Sequence, residues 1–308
     1  MFSGLPFAML SLTSVSSAVR LRPGFGQEAI GRLDMLRDLL VHVDGSESGR
    51  RRVQFAVDLA IRAGARLSGI HVTPPAEVPP LYKPTRVAEV AAHLSSRLEQ
   101  DAHAATIAFR EEAMARLTDA CWFEAKGDVA NRVSDRARYA DLVVIGQDEW
   151  QGSPETHPLP IAHPVAVRCG RPVLVVPAAV QSNSLDSVAV AWDGSRESVR
   201  AIHDALPLLR LSRSVQIITI ISPPAESPED DAESLLEHLT RHAVAVGSNV
   251  LRIMSTREHA SLREHIEKAP YDWLVMGAYS HPMWMEFVFG GLTQSILLSS
   301  KIPMLVSH

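Results

Sequence analysis

Two cysteines in 308 residues, Cys121 and Cys169, are too few for a disulfide framework or a metal quartet. Both thiols are expected as small buried apolar residues of a protein from a reducing compartment, and the expected location is the cytoplasm. The sequence also lacks any run of about eighteen apolar residues, which excludes a membrane-spanning helix. An excess of positive charge is missing too: 30 Lys and Arg stand against 35 Asp and Glu, for a net charge of −5. Nucleic acid is therefore not an expected partner. The one basic run, Arg50-Arg51-Arg52, falls inside a helical pattern and reads as a solvated helix face. Neither Gly-x-Gly-x-x-Gly, nor the Lys-bearing phosphate loop, nor a Gly-x-Ser-x-Gly elbow occurs. No Lys or Arg precedes the mildly apolar "FAMLSLTSVSSAV", so a secretory leader is not read there. Residues 1–34 are expected as a disordered extension.

What is present is a globular composition, 46% hydrophobic and 21% charged, with apolar material for two cores. The chain repeats itself. "LLVHVDGSESGRRRVQFAVDLA" (39–60) answers to "VAVAWDGSRESVRAIHDALPLL" (188–209), "ADLVVIG" (140–146) to "YDWLVMG" (271–277), and "RPVLVV" (171–176) to "IPMLVS" (302–307). Order is kept throughout, which means two copies of one domain. The polar stretch 178–187 separates them, giving expected domains of 35–180 and 185–308.

Within each copy, apolar runs of strand length alternate with helical periods. In the second copy the pattern predicts strands at 187–192, 214–222, 249–254, 272–277 and 302–306. It predicts helices at 195–210, 230–246, 257–268 and about 290–299. Strands apolar on both faces and separated by helices make parallel crossovers, so the fold class is α/β, two five-stranded doubly wound parallel sheets of order 3-2-1-4-5. Ligands of such sheets bind at the carboxyl rim where strand order reverses. Strands one and four flank that point, and they end at Asp193 and Gly277.

After Gly277 comes "AYSHPMWMEFVF" and then Gly290-Gly291-Leu292-Thr293, which opens the last helix. Glycines beside a helix N-terminus can present main-chain N–H groups to a phosphate, and they are equally common helix punctuation. In the middle, Trp284, Phe287 and Val288 read as a lid, as an interface, or as packing against the sheet.

Asp-Gly-Ser at the end of strand one, with a strand-four glycine followed by a Gly pair and a hydroxyl residue, resembles the layout of universal stress proteins over about 36–308. The resemblance implies ATP or another adenine nucleotide in the second half. Asp193 and Ile220 would face adenosine, Met276 and Gly277 would form the strand-four turn, and Gly290, Gly291, Leu292 and Thr293 would take the phosphates. Two positions depart from the pattern: Ser280 replaces a second glycine, and Gly291 stands where Ser or Thr is expected. The first half departs further, with Glu149 at the second glycine position and Pro160-Ile161-Ala162 where the Gly pair belongs; its site reads as lost.

Other groups attract plainer readings. Ser46 and Ser195 read as helix N-caps rather than nucleophiles. Asp44 reads as a turn former. Arg196 and Arg200 pair with Glu197 or solvent. His238 and His242, four apart, are two metal-type residues without a third, so no metal and no catalytic residue is assigned. The expected function is a non-enzymatic stress-response protein regulated by adenine nucleotide. Its rivals are a nucleotide-free interaction scaffold and, more remotely, a nucleotidyl transferase. A homodimer and an intrachain pairing of the two halves are both open.

Overall fold

The computed structural model describes residues 36–76, 87–147, 161–180, 183–221, 229–248, 250–254, 258–278 and 300–308. The expected extension, 1–34, lies outside them. The first half runs β1 (Asp38–His42), α1 (Glu47–Ala63), β2 (Arg66–Thr73), α2 (Val87–Phe109), β3 (Ala120–Lys126), α3 (Val129–Ala137), β4 (Leu142–Gly146), α4 (Ala162–Arg168) and β5 (Val173–Val176). The second runs β6 (Ser187–Ala191), α5 (Arg196–Leu209), β7 (Ser214–Ile221), α6 (Glu229–Arg241), β8 (Leu251–Met254), α7 (Glu258–Lys268), β9 (Trp273–Gly277) and β10 (Met304–Ser307). The last predicted helix, about 290–299, falls outside the described residues.

All ten strands form one sheet, in the order β3-β2-β1-β4-β5-β10-β9-β6-β7-β8. Within each half the pairing is parallel, and the halves join by antiparallel pairing of β5 with β10 about Leu174 and Leu305. This joint is the intrachain pairing of halves, made by the strand each copy would otherwise leave as a bare edge. Every side chain of β5 and β10 is buried, as for strands covered on both faces.

Helices α1, α2, α5 and α6 cover one face over a core that includes Phe55, Phe109, Ile202, Leu209 and Trp273. Helices α3, α4 and α7 cover the other over Leu40, Ile145, Val165, Ile266 and Met276. The connection between halves is pinned rather than slack. Leu185 is 1% exposed, and its carbonyl accepts from Ser212 Oγ at 2.7 Å and from Trp273 Nε1 at 3.3 Å.

Three expectations are corrected. Helix α6 stops at Arg241 rather than at 246, because Ala243 turns left-handed at φ 58° and Val246 then bridges to Val215. Cys121 is half-buried on the edge strand β3, not buried, and its sulfur accepts from Arg66 Nη2 at 2.6 Å. The Arg50–Arg52 run is not a uniformly solvated face. Arg50 pairs with Glu111 and Glu112, Arg51 is exposed, and Arg52 is 5% exposed with its guanidinium directed to the carboxyl rim.

Candidate functional site

Both halves build the end of their first strand alike. The Asp44 carboxylate accepts from the Ser46 amide at 3.0 Å, and Asp193 accepts from the Ser195 amide at 2.9 Å, each closing a turn over the intervening glycine. Gly194 takes φ 73°, the left-handed region where a Cβ is costly. Ser46 Oγ then accepts from Gly49 N at 2.9 Å and Ser195 Oγ from Ser198 N at 3.1 Å, so both serines cap a helix. Ser46 Oγ in turn donates to the Asp44 carboxylate, which is held in its ion pair with Arg52.

The first crevice is filled by the chain itself. Arg52 donates from Nε to the His42 carbonyl at 2.9 Å and from Nη2 to Asp44 Oδ2, while its Nη1 lies against the end of β4, where a Cβ on Gly146 would overlap it. That glycine admits a guanidinium. From the other side α2 presses on the turn: Asp101 Oδ1 accepts from Gly45 N at 2.9 Å, and a Gly45 Cβ would lie 2.7 Å from the Asp101 carbonyl oxygen. His71, 3% exposed, bonds the Val43 carbonyl through Nδ1 at 2.9 Å, which leaves Nε2 buried without a partner.

Electrostatics match this packing. Burial, then the Arg52 charge, lowers His42 to about 3, so it is neutral in the folded state. Burial works to raise the Asp44 carboxyl, but the Arg52 charge and the Ser46 hydrogen bond outweigh it and hold the group well below the usual carboxylate range. Burial raises Asp101 despite the Gly45 hydrogen bond.

The second crevice is lined differently. Strand register sets Ala191 opposite His42 and Thr219 opposite His71, and the repeat sets Ala201 opposite Arg52. Among the described residues no guanidinium lies against the end of β9; instead the first turn of α5 lies against Gly277, where a Cβ would stand 2.5 Å from Ser198 N and 2.7 Å from the Glu197 carbonyl carbon. Close helix packing therefore explains this glycine without a ligand. At the turn, the one atom of the described residues within 4 Å of a Gly194 Cβ is Asp231 Oδ2 of α6, at 2.9 Å, so among them α6 reaches the turn with a side chain.

Of the expected site residues, Asp193 is exposed at the end of β6, Gly277 half-buried at the end of β9, and Ile220 pairs with Ile253 toward the end of β7. Parallel pairing of β9, β6 and β7 brings these ends to one rim. Met276 is 2% exposed in the core, so its side chain is not free to line a crevice. Ser280, Gly290, Gly291, Leu292 and Thr293 lie outside the described residues, as do Trp284, Phe287, Val288, Glu149 and Pro160. Arg196 pairs with Glu197 at 2.8 Å and Arg200 with Asp204 at 3.7 Å.

Sequence reading missed Arg52, Asp101 and Asp231. Arg52 carries a signal, since it lies on the α1 face that buries Gly49, Val53 and Ala56. His203 of α5 is the third ring beside His238 and His242, with centroids 5.4 and 4.5 Å apart in succession. Among the described residues no group of three or more His, Cys, Asp or Glu could hold a metal ion.

Two copies of one turn on a doubly wound sheet are matched by a family comparison, in which the universal stress protein family fits residues 35–177 and again 185–308. The chain belongs to the universal stress protein family. It is a tandem member, as its internal repeat implied. Among solved structures, a universal stress protein from Archaeoglobus fulgidus is 16% identical, with a TM-score of 0.61 over 88% of this chain and 97% of its own. A protein of unknown function from Pseudomonas aeruginosa is 13% identical, with a TM-score of 0.52 over 88% of this chain and 92% of its own. At these identities the likeness is one of fold. No curated protein matches the chain.

Proposed function

We propose that this tandem universal stress protein binds ATP or another adenine nucleotide at the carboxyl rim of its second half, as a regulatory ligand of a cytoplasmic, non-enzymatic protein. The observation that carries the reading is the contrast between the two rims. Arg52 occupies the first crevice and bonds the strand end there, whereas small residues, Ala191, Ala201 and Thr219, stand at the matching positions of the second. Small side chains beside an Asp-Gly turn suit a purine, whose faces need burial and whose amino group needs an acceptor. Asp193 keeps one carboxylate oxygen beyond the one that closes its turn. In this reading Gly277, Gly290, Gly291, Leu292 and Thr293 supply main-chain amides and a hydroxyl to the phosphates, with Met276 contributing main chain only. The nucleotide would regulate by binding one of two states more tightly.

The test is direct. Purified protein is denatured, and the supernatant is chromatographed for adenine nucleotide; melting is also followed with added ATP. Nucleotide near one per chain, lost in Gly290→Val, supports the reading. Its absence, with no rise in melting temperature at saturating ATP, favours the nucleotide-free scaffold.

A further inference from the structure

We infer that His203, His238 and His242 form an acid-sensitive clasp between α5 and α6, closed while the rings are neutral and opened as they take up protons. The inference stands apart from the nucleotide reading.

The clasp is a row of three imidazoles. His203 of α5 lies 5.4 Å from His238 of α6, and His238 lies 4.5 Å from His242, centroid to centroid. His242 directly follows α6 and is held by Arg210 at the end of α5, which donates from Nε to the His242 carbonyl at 2.9 Å and from Nη2 to its Nδ1 at 3.1 Å. A guanidinium only donates, so Nδ1 is the bare nitrogen of that ring and the ring proton sits on Nε2. In the middle of the row, the Nε2 atom of His238 is buried without a hydrogen-bond partner among the described residues.

The charges that act on this row are of one sign. Arg210 meets it from the end of α5, and Arg241 stands beside it on α6. The carboxylates next to the rings in the chain have other partners: Asp204, with Oδ2 buried, pairs with Arg200 at 3.7 Å, and Glu237 pairs with Arg241 at 3.4 Å. A proton on His242 Nδ1 would set an N–H against the Arg210 N–H, and one on His238 Nε2 would bury a cation without a counter-charge. Two charged rings 4.5 Å apart would also repel.

Burial first, then the charges of His242, His203 and Arg241, lower His238 from its ordinary 6.5. Folding thus favours the neutral ring, so the clasp is whole above that value and weakens as pH falls below it. Opening releases the apolar face that α6 now buries, Ala232, Leu235 and Leu239.

Hydrogen exchange of the full chain, read by mass spectrometry at pH 7.5 and 5.5 and corrected for the intrinsic effect of pH on exchange, tests this. Wild type is expected to lose protection across 232–244 at the lower pH. His238→Gln, which cannot be charged there, should cut that loss about fivefold, and His203→Gln, at an exposed position, about twofold. A helix merely weakened by substitution would lose protection at both pH values and keep the wild-type response to acid. That outcome overturns the inference, as does a wild type whose α6 is equally protected at both. Should His238→Gln not fold, His203→Gln decides: an acid response equal to that of wild type overturns the clasp, and a reduced one upholds it.

Discussion

At the end of β1 the rim is lined by His42, Arg52 and His71; at the end of β6 the same positions carry Ala191, Ala201 and Thr219. Around the first set the chain has made a buried polar network, with Arg52 bridging the His42 carbonyl and Asp44 while Asp101 holds the Gly45 amide. Such a network is stable only when its members find partners, since an unpaired buried charge is costly. One fold can therefore finish its rim in two ways, with its own guanidinium or with a turn of helix laid against the strand end. The two halves are internal controls for each other.

The largest effect should come from removing the plug. Arg52→Ala strands Asp44 and the His42 carbonyl and should cost about 3 kcal/mol in denaturant unfolding. Gly146→Ala should cost a similar amount, because its Cβ enters the guanidinium. The two losses share one cause, so the double variant should fall short of their sum by about 2 kcal/mol. Gly277→Ala should cost about 2 kcal/mol by pressing on the Ser198 amide, and no side-chain truncation on α5 should relieve it, because the obstacle is backbone. Strict additivity of Arg52→Ala with Gly146→Ala would show that the first crevice is not held by this residue.

Acid should separate the halves next. His42 has a folded pKa of about 3 against 6.5 unfolded, so its neutral form is favoured by folding. The stability it permits is whole above pH 6.5 and is lost as pH falls from there toward 3. At pH 5 the loss is about 2 kcal/mol. Asp44 is depressed as well, and because its charged form is the one folding favours it adds a further loss as pH falls through and below the ordinary carboxylate range. His42→Ala, which copies the second half, should flatten unfolding free energy between pH 6.5 and 5. A variant whose pH curve keeps the wild-type slope would place the acid sensitivity elsewhere.

These tests concern features of uneven legibility. The repeat, the alternation of strands and helices, and the place of Asp193 and Gly277 at strand ends follow from patterns that local physics enforces: apolar runs covered on both faces and turn residues after them. The joint between β5 and β10 does not, because edge pairing is made by main chain and leaves the sequence free. The basic run around Arg52 points to solvent, yet Arg52 shares a helix face with Val53 and Ala56. Composition hides what helical register reveals. Asp101 and Asp231 act across more than fifty and more than thirty residues of chain from Asp44 and Asp193, a separation that no short motif encodes. The end of α6 leaves no mark either, since an Ala at φ 58° has no turn-forming signature.

A smaller contrast tests α2 against α6. Asp101→Ala frees the Gly45 amide and should cost about 1 kcal/mol, whereas Asp231→Ala removes no hydrogen bond among the described residues and should change stability by less than about 0.5 kcal/mol. Equal losses at both positions would mean that α6 is latched to its turn as firmly as α2, contrary to the reach of a side chain alone.

The smallest expected difference is at the caps. Ser46→Ala and Ser195→Ala should each cost about 1 kcal/mol, because each hydroxyl receives one otherwise orphaned amide of the following helix, Gly49 N at 2.9 Å and Ser198 N at 3.1 Å. Replacement by Asp should restore most of that stability in both halves, since a carboxylate caps as well as a hydroxyl and gains from the helix dipole. Ser46 also donates to Asp44, so Asp at 46 would set two carboxylates together, and its rescue should trail that of Ser195→Asp by a few tenths of a kcal/mol. Differential unfolding of the four variants measures this directly. Rescue equal in both halves would remove the Asp44 contact from the account, and rescue in neither would assign the two serines something other than capping.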